Sequence, residues 1–353
     1  MTSTAYLNLD DYEAASRRHL PEPIWTYLSG GAGRERTISA NREAFSRWCL
    51  LPAPLDSQAA DPIVATAILG QSLDFPVILA PTSPQRLFHP DAELASAAGA
   101  RESGTISIVS TDSQYPLRDI GPEGDFWFQL YCYGTRDTTK KLLHRAESAG
   151  ATAIVVTVDN SFEARRISLQ RSEFGCPDDV EFGILREIGY SDGSVPVNAR
   201  LPRRVVNWDE LAFIQSVTSL PMIVKGIARP SDARRLVDRG VAALIVSNHG
   251  GRQLDDSVAT LDALVGVVSA VNSAVPVLMD GGVRSGLDVI KAMALGATAV
   301  CIGRPYVWGL SLSGVGGVQG VLGLMKAELV DGMRQLGKAS ILDLGEDLVR
   351  HTG

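Results

Sequence analysis

The sequence predicts an α/β fold, a (β/α)8 barrel with an N-terminal helical segment, on three observations. Eight short apolar runs rich in Val, Ile and Leu alternate with helix-compatible stretches, as in a buried parallel sheet wrapped in helices. Nearly every run ends in a side chain able to do chemistry, at the end where such a barrel keeps its active site. Glycine–arginine loops close the last two runs, where barrels of this kind usually bind phosphate. An open, doubly wound sheet would share the alternation. The polar strand ends favour the barrel.

Residues 1–52 precede the first strand and read as a helical segment covering the barrel, which takes 53–353. Within the segment, 10–19 is a short amphipathic helix stopped by Pro21, and 23–28 is a second helical piece ended by Gly30 and Gly31. Tyr27 lies on that second piece, and spacing alone makes it a core aromatic. The strand-like runs are 77–80, 106–109, 126–130, 154–158, 222–225, 244–247, 277–280 and 299–303, with helices such as 91–102, 231–239 and 286–295 between them. Their polar ends are Ser110, Gln129 with Tyr131, Thr157 with Asp159, Lys225, Ser247 with His249, Asp280, and Gly303 with Arg304. One connection is long, 160–207, and rich in Gly, Pro and Asp (Gly175-Cys176-Pro177-Asp178-Asp179, Ser191-Asp192-Gly193-Ser194), so it reads as an active-site lid.

Composition narrows the function. A hydrophobic share of 45% provides a sizeable core, and a net charge of −7 without a basic block excludes nucleic acid and anionic membrane surfaces as partners. Four cysteines (Cys49, Cys132, Cys176, Cys301) with no CxxC spacing indicate a reduced, cytoplasmic setting and no metal site. No signal-peptide pattern opens the chain, no apolar stretch spans a bilayer, and the last residues are no peroxisomal address.

The chemistry centres on Val246-Ser247-Asn248-His249-Gly250-Gly251-Arg252-Gln253-Leu254-Asp255. A strand runs into two glycines, placing His249 and Arg252 just past its carboxyl end. Histidine exchanges protons near neutral pH, and a guanidinium holds a carboxylate with paired hydrogen bonds, so the pattern suggests a small acid as substrate. Asp280-Gly281-Gly282-Val283-Arg284 and Gly303-Arg304-Pro305 offer backbone N–H groups and guanidinium charge to a phosphate. The GxGxxG of a nicotinamide site is absent after the early strands, so the phosphorylated cofactor is of another kind.

The ten-residue string resembles the active-site signature of the FMN-dependent 2-hydroxy-acid oxidases and dehydrogenases, and the resemblance runs from about residue 6 to residue 340. It implies FMN. Pro81, Thr82 and Ser83 would pack on the flavin ring. Ser110, Gln129, Thr157 and Lys225 would bond its edge, the lysine also countering negative charge there. Ser247, Asp280, Gly281, Gly282, Arg284, Gly303 and Arg304 would take the ribityl phosphate tail. The resemblance further implies His249 as base, Asp159 orienting it, Arg252 and Arg166 on the substrate carboxylate, Tyr131 on the substrate hydroxyl, and Tyr27 reaching over the flavin. The product would be a 2-keto acid from an (S)-2-hydroxy acid, made by a homotetramer or larger oligomer.

Two places depart from the family. Ser83-Pro84 stands where oxidases commonly have alanine and several dehydrogenases glycine, which bears on the electron acceptor, oxygen or another. Thr111-Asp112 replaces bulkier residues, leaving space for a larger substrate side chain with a polar group that Asp112 could meet. The run Gln85-Arg86-Leu87-Phe88-His89-Pro90 resembles bacterial 4-hydroxymandelate oxidases and implies an aromatic, mandelate-like acid. Rival readings are an FMN-dependent oxidative decarboxylase (monooxygenase), an FMN isomerase of related barrel acting on a larger biosynthetic intermediate, and a non-catalytic FMN scaffold. Product analysis separates the first; the others lack a use for His249, Arg252 and Tyr131 together.

Overall fold

Each of the eight expected runs is a strand, and the strands close into one parallel barrel. In the computed structural model, which describes residues 6–53, 55, 60–190, 201 and 203–352, they are β1 (Val77–Leu79), β2 (Ser107–Ser110), β3 (Phe126–Leu130), β4 (Ala153–Thr157), β5 (Met222–Ile227), β6 (Ala243–Val246), β7 (Val277–Asp280) and β8 (Ala299–Ile302). Sequence neighbours are barrel neighbours, and β8 returns to β1 with Cys301 opposite Ile78.

Side chains alternate along a strand, so each run divides between two cores. Ile78, Ile108, Trp127, Val155, Ile223 and Ile245 join one cluster inside the barrel. Their outward neighbours pack under the helices in a larger cluster, each fully buried aliphatic contributing about 1.5–3 kcal/mol. A hairpin absent from the sequence reading, Thr66–Ile68 with Gln71–Leu73, adds Ile68 and Leu73 to the inner cluster. Trp127 Nε1 donates to Gln71 Oε1 (2.6 Å) beside it.

The N-terminal segment holds α1 (Leu9–His19), α2 (Glu22–Ser29) and a helix the sequence reading lacked, α3 (Arg36–Ser46). Asn8 caps α1 by accepting from Asp11 N, and Leu9, Tyr12, Ala15 and Ser16 form its buried face. Around the barrel follow α4 (Ala92–Glu102), α5 (Leu117–Ile120), α6 (Arg136–Ser148), α7 (Ile167–Arg171), α8 (Gly183–Glu187), α9 (Trp208–Val217), α10 (Pro230–Val237), α11 (Thr260–Val271), α12 (Gly286–Ala294) and α13 (Arg304–Gln335). The core crosses the expected boundary at 52/53: Leu28 and Phe45 share a cluster with Val283 and Met325. Trp48–Leu50 also pairs antiparallel with Val349–His351.

Two expectations change. The long connection after β4 carries α7 and α8 rather than plain loop, while Ser191-Asp192-Gly193-Ser194 lies outside the described residues. The sequence was expected to hold no stretch able to span a bilayer, yet α13 is long and apolar enough by length and composition. Its apolar window is 56% buried, and the helix packs on α1, α4 and α12, so much of that surface belongs to the core.

Candidate active site

The alternation that buries Ile108 and Trp127 turns the next inward positions toward the carboxyl end of the barrel. These are Ser110, Gln129, Thr157, Lys225, Ser247 and Asp280, all polar and all buried. A polar layer therefore sits on an apolar plug. Strand register sets Ser110 beside Gln129 and Thr157 beside Lys225. Ser110 Oγ donates to Gln129 Oε1 (2.9 Å); Lys225 Nζ donates to Ser247 Oγ (2.8 Å) and pairs with Asp280 Oδ2 at 3.0 Å. Burial works against the lysine's charge, but Asp280 and Asp159 outweigh it and hold its pKa above the ordinary value.

Gln129 Nε2, Thr157 Oγ1 and Asp280 Oδ1 are buried and have no hydrogen-bond partner among the described residues. Buried polar atoms are rarely left so. Spare donors and acceptors in one layer, beside a lysine, fit the edge of a polar heteroaromatic ring, and the site suits FMN on that ground.

The loops after β7 and β8 lie at the same end. Gly281 and Gly282 have positive φ (93° and 87°), and a Cβ on Gly282 would stand 2.1 Å from the Asn41 carbonyl oxygen, so only glycine fits there. Arg252, Arg284 and Arg304 line the same cavity as the glycine loops. Burial lowers their pKa values, to about 10 for Arg252 and Arg284, and for Arg252 and Arg304 neighbouring arginines add to the shift. Their hydrogen bonds go to backbone carbonyls: Arg252 Nη1 to Leu28 and Gly30, Arg284 Nη1 to Val283, and Arg304 to Leu28, Gly30 and Gly250. Crowded guanidinium groups without carboxylates among these partners favour anionic ligands. Arg304 therefore also ties the end of α2 to the His249 loop.

His249 stands just past β6 with φ of 58°. Its Nδ1 lies 2.9 Å from Asp159 Oδ1, and its N–H donates to Ser247 Oγ (3.0 Å). Asp159 can come this close because Gly226 beside it has no side chain; a Cβ there would sit 2.7 Å from Asp159 Cβ. Burial lowers the His249 pKa below its ordinary value, with Asp159 opposing. Burial raises that of Asp159, but the charges of His249 and Lys225 outweigh it and the net shift is down. The lowered His249 pKa favours a neutral imidazole and the lowered Asp159 pKa a carboxylate, so Nδ1 donates to Asp159 and Nε2 is left to accept a proton.

Tyr131, Arg166 and Tyr27 line the same cavity, about 240 Å³ in volume. Tyr131 OH accepts from Asn160 Nδ2 (2.8 Å) and keeps its proton, burial having raised its pKa. Tyr27 OH donates to the Ser83 carbonyl (3.0 Å), and its ring faces Arg252 and Arg166 at 5.4 and 5.7 Å. Pro81, Thr82 and Gly303 line the cavity as well. Ser83 Oγ lies 3.2 Å from Ser110 Oγ. Asp112, expected to await a polar substrate group, already holds Arg203 and Tyr133.

The sequence reading missed Asn41, Asn160, Gly226 and Arg203. Asn160 follows Asp159 directly and Gly226 follows Lys225, so strand-end logic could have reached both. Asn41 and Arg203 arrive from remote segments with no local signal.

Residues 16–351 match the family model described as FMN-dependent dehydrogenase. Human 2-hydroxyacid oxidase 1 is 39% identical over 355 residues, covering 97% of this chain and 96% of that protein. The L-lactate oxidase of Nostoc sp. is 39% identical, covering 96% of each, and glycolate oxidase 1 of Oryza sativa subsp. indica is 40% identical, covering 96% and 94%. Among solved structures, mandelate oxidase with (S)-4-hydroxymandelic acid superposes at a TM-score of 0.90 with 39% identity, covering 95% of this chain and 96% of that one.

Proposed function

The chain belongs to the FMN-dependent dehydrogenase family and is an FMN-dependent oxidoreductase of 2-hydroxy acids, and from that premise we propose how its residues divide the work. The observation that carries the proposal is the His249–Asp159 pair at 2.9 Å, in a cavity that also holds Arg252.

Arg252 and Arg166 bind the substrate carboxylate and orient C2, and Tyr131 hydrogen-bonds the 2-hydroxyl. Neutral His249 takes a proton at Nε2, from C2 or from the hydroxyl as hydride leaves; Asp159 stabilises the imidazolium that results. FMN, when bound, supplies the acceptor for the two electrons that turn the alcohol into the ketone. Ser110, Gln129, Thr157, Lys225 and Ser247 would hold its ring, with Pro81, Thr82 and Ser83 against its face. Asp280, Gly281, Gly282, Arg284, Gly303 and Arg304 would hold the ribityl and phosphate groups. Lys225 would place a cation at the ring's edge, countering the negative charge that the ring gains on reduction.

The substrate is an (S)-2-hydroxy acid with an aromatic, mandelate-like side chain, which Phe88 and Phe182 in the cavity wall support. Oxygen or another acceptor takes the electrons onward. Unpaired cysteines support a reduced, cytoplasmic setting. The proposal includes a homo-oligomer, a tetramer or larger, which the solution mass tests.

Anaerobic addition of (S)-4-hydroxymandelate, (S)-mandelate, lactate and glycolate should bleach the flavin band with at least one acid, and the speed of recovery in air sorts oxidase from dehydrogenase. A band that survives every acid overturns the proposal.

A further inference from the structure

The cavity wall holds a second polar cluster that this chemistry leaves unused. Asp112 follows β2, Tyr133 follows β3, and Arg203 stands near the end of the long connection. Arg203 Nη2 donates to Asp112 Oδ2 (2.7 Å) and Nε to Tyr133 OH (3.0 Å), while Tyr133 OH donates to Asp112 Oδ1 (2.6 Å). The backbone of Arg203 bridges to Tyr133, and Arg204 N donates to the Cys132 carbonyl (2.7 Å), so the guanidinium is held in place. Its carbon lies 4.0 Å over the ring of Tyr131, the tyrosine assigned to the substrate hydroxyl. The Asp112 side chain is 6% exposed and that of Arg203 27%, and both line the cavity that holds His249 and Arg252.

We propose that Asp112 and Arg203 form the specificity end of the substrate pocket, selecting a 2-hydroxy acid whose side chain ends in a neutral group that both donates and accepts hydrogen bonds, such as a hydroxyl or carboxamide. The inference rests on the proposed 2-hydroxy acid oxidation. The pair is electrically neutral as a unit, so a second carboxylate on the substrate loses to Asp112 what it gains from Arg203. An apolar tip would cover two charged groups and hydrogen-bond neither. A hydroxyl gives its proton to Asp112 and accepts from Arg203, whose Nη1 makes no hydrogen bond among the described residues. Burial alone would weaken the charge of Arg203, but Asp112 outweighs it and the guanidinium stays cationic. Phe88 and Phe182 line the same cavity, which suits an apolar body behind a polar tip.

The test uses three mandelates of similar shape bearing hydroxyl, methyl or carboxyl at the para position, with the FMN-loaded enzyme. Rate constants of anaerobic flavin bleaching are measured for each acid. Dissociation constants of the three matching 2-keto acids are measured from the perturbed flavin absorbance. The wild type should favour hydroxyl over both methyl and carboxyl by about tenfold or more in both readouts. The double variant D112L/R203M leaves neither charge stranded and should reverse the preference in favour of methyl. A wild-type ratio of hydroxyl to methyl within about twofold overturns the inference. So does a double variant that weakens all three ligands equally, the behaviour of a mere fastening for the long connection. Should none of the three acids bleach the flavin, the proposed mandelate-like substrate falls, and the keto-acid constants still decide the role of this pair. Should the double variant not fold, the wild-type ratios decide it.

Discussion

His249 Nδ1 and Asp159 Oδ1 meet at 2.9 Å from loops that follow different barrel strands, β6 and β4. The pair makes the acid limb of the pH profile informative. Burial sets the His249 pKa below its ordinary value, so kcat/KM should hold down to a lower pH than an exposed histidine would allow and then fall as the ring gains its proton. Asp159 opposes that shift. Asp159→Asn removes the opposing charge, so the limb should move to still lower pH while kcat drops on the order of 10²-fold, because the imidazolium loses its partner. Kinetics across pH read both effects. A limb that moves upward would show that the carboxylate does not act on His249.

Arg252 carries two loads, the proposed substrate carboxylate and the carbonyls of Leu28 and Gly30. Arg252→Met should raise KM and lower kcat together, on the order of 10²-fold in kcat/KM, since the clamp also orients C2. Arg252→Lys restores charge but not the two-pronged geometry and should recover only part of the loss. Steady-state kinetics with the preferred acid decide it; unchanged KM and kcat in the methionine variant would move the carboxylate elsewhere.

The barrel was legible because each strand is buried on both faces and so writes itself as a continuous apolar run, as in Val277–Asp280. The ring of site residues was legible for a related reason. Inward positions recur with period two, so Gln129 stands two residues past Trp127, and Lys225 two past Ile223. What stayed hidden depends on contacts between distant segments. Helix α3 buries polar Thr37 and Asn41 beside Ala44 and Phe45, so half of its inward face carries no apolar signal. Asp112 resembled an open polar contact because its partner, Arg203, lies 91 residues away. The hairpin at 66–73 was too short for periodicity to register.

Lys225 and Asp280 form an ion pair with side chains 4% and 8% exposed, directly in the polar layer. Lys225→Met should cost about 3–5 kcal/mol of folding stability, because it leaves Asp280 charged, buried and unpaired. It should also weaken FMN retention, seen as flavin lost on gel filtration. Adding Asp280→Asn removes the stranded charge and should return most of the stability without returning the rate of flavin reduction. Thermal unfolding and anaerobic reduction separate the two losses. Full recovery of both would make the lysine a structural counter-charge alone.

Asn41, on α3, and Asn248, beside the base, exchange a reciprocal pair of amide hydrogen bonds at 2.9 and 2.8 Å, and Asn41 Oδ1 also accepts from Thr260 N (3.1 Å). Asn248 Oδ1 in turn accepts from Gly251 N (3.1 Å), so the N-terminal segment braces the turn that carries His249. Asn41 thus reads as a positioning residue. Asn41→Ala leaves the buried Asn248 amide and Thr260 N–H short of partners, at about 1–3 kcal/mol. A brace that merely stabilised the fold would lower the melting temperature and spare the kinetics. A brace that sets the base should also lower kcat, with KM and bound FMN little changed, because Arg252 and the ring contacts remain. Asn41→Asp tests the distinction further. Its carboxylate can accept from Asn248 Nδ2 and Thr260 N but cannot donate to Asn248 Oδ1, so it should recover stability more fully than kcat. Equal recovery of both would reduce Asn41 to a packing role.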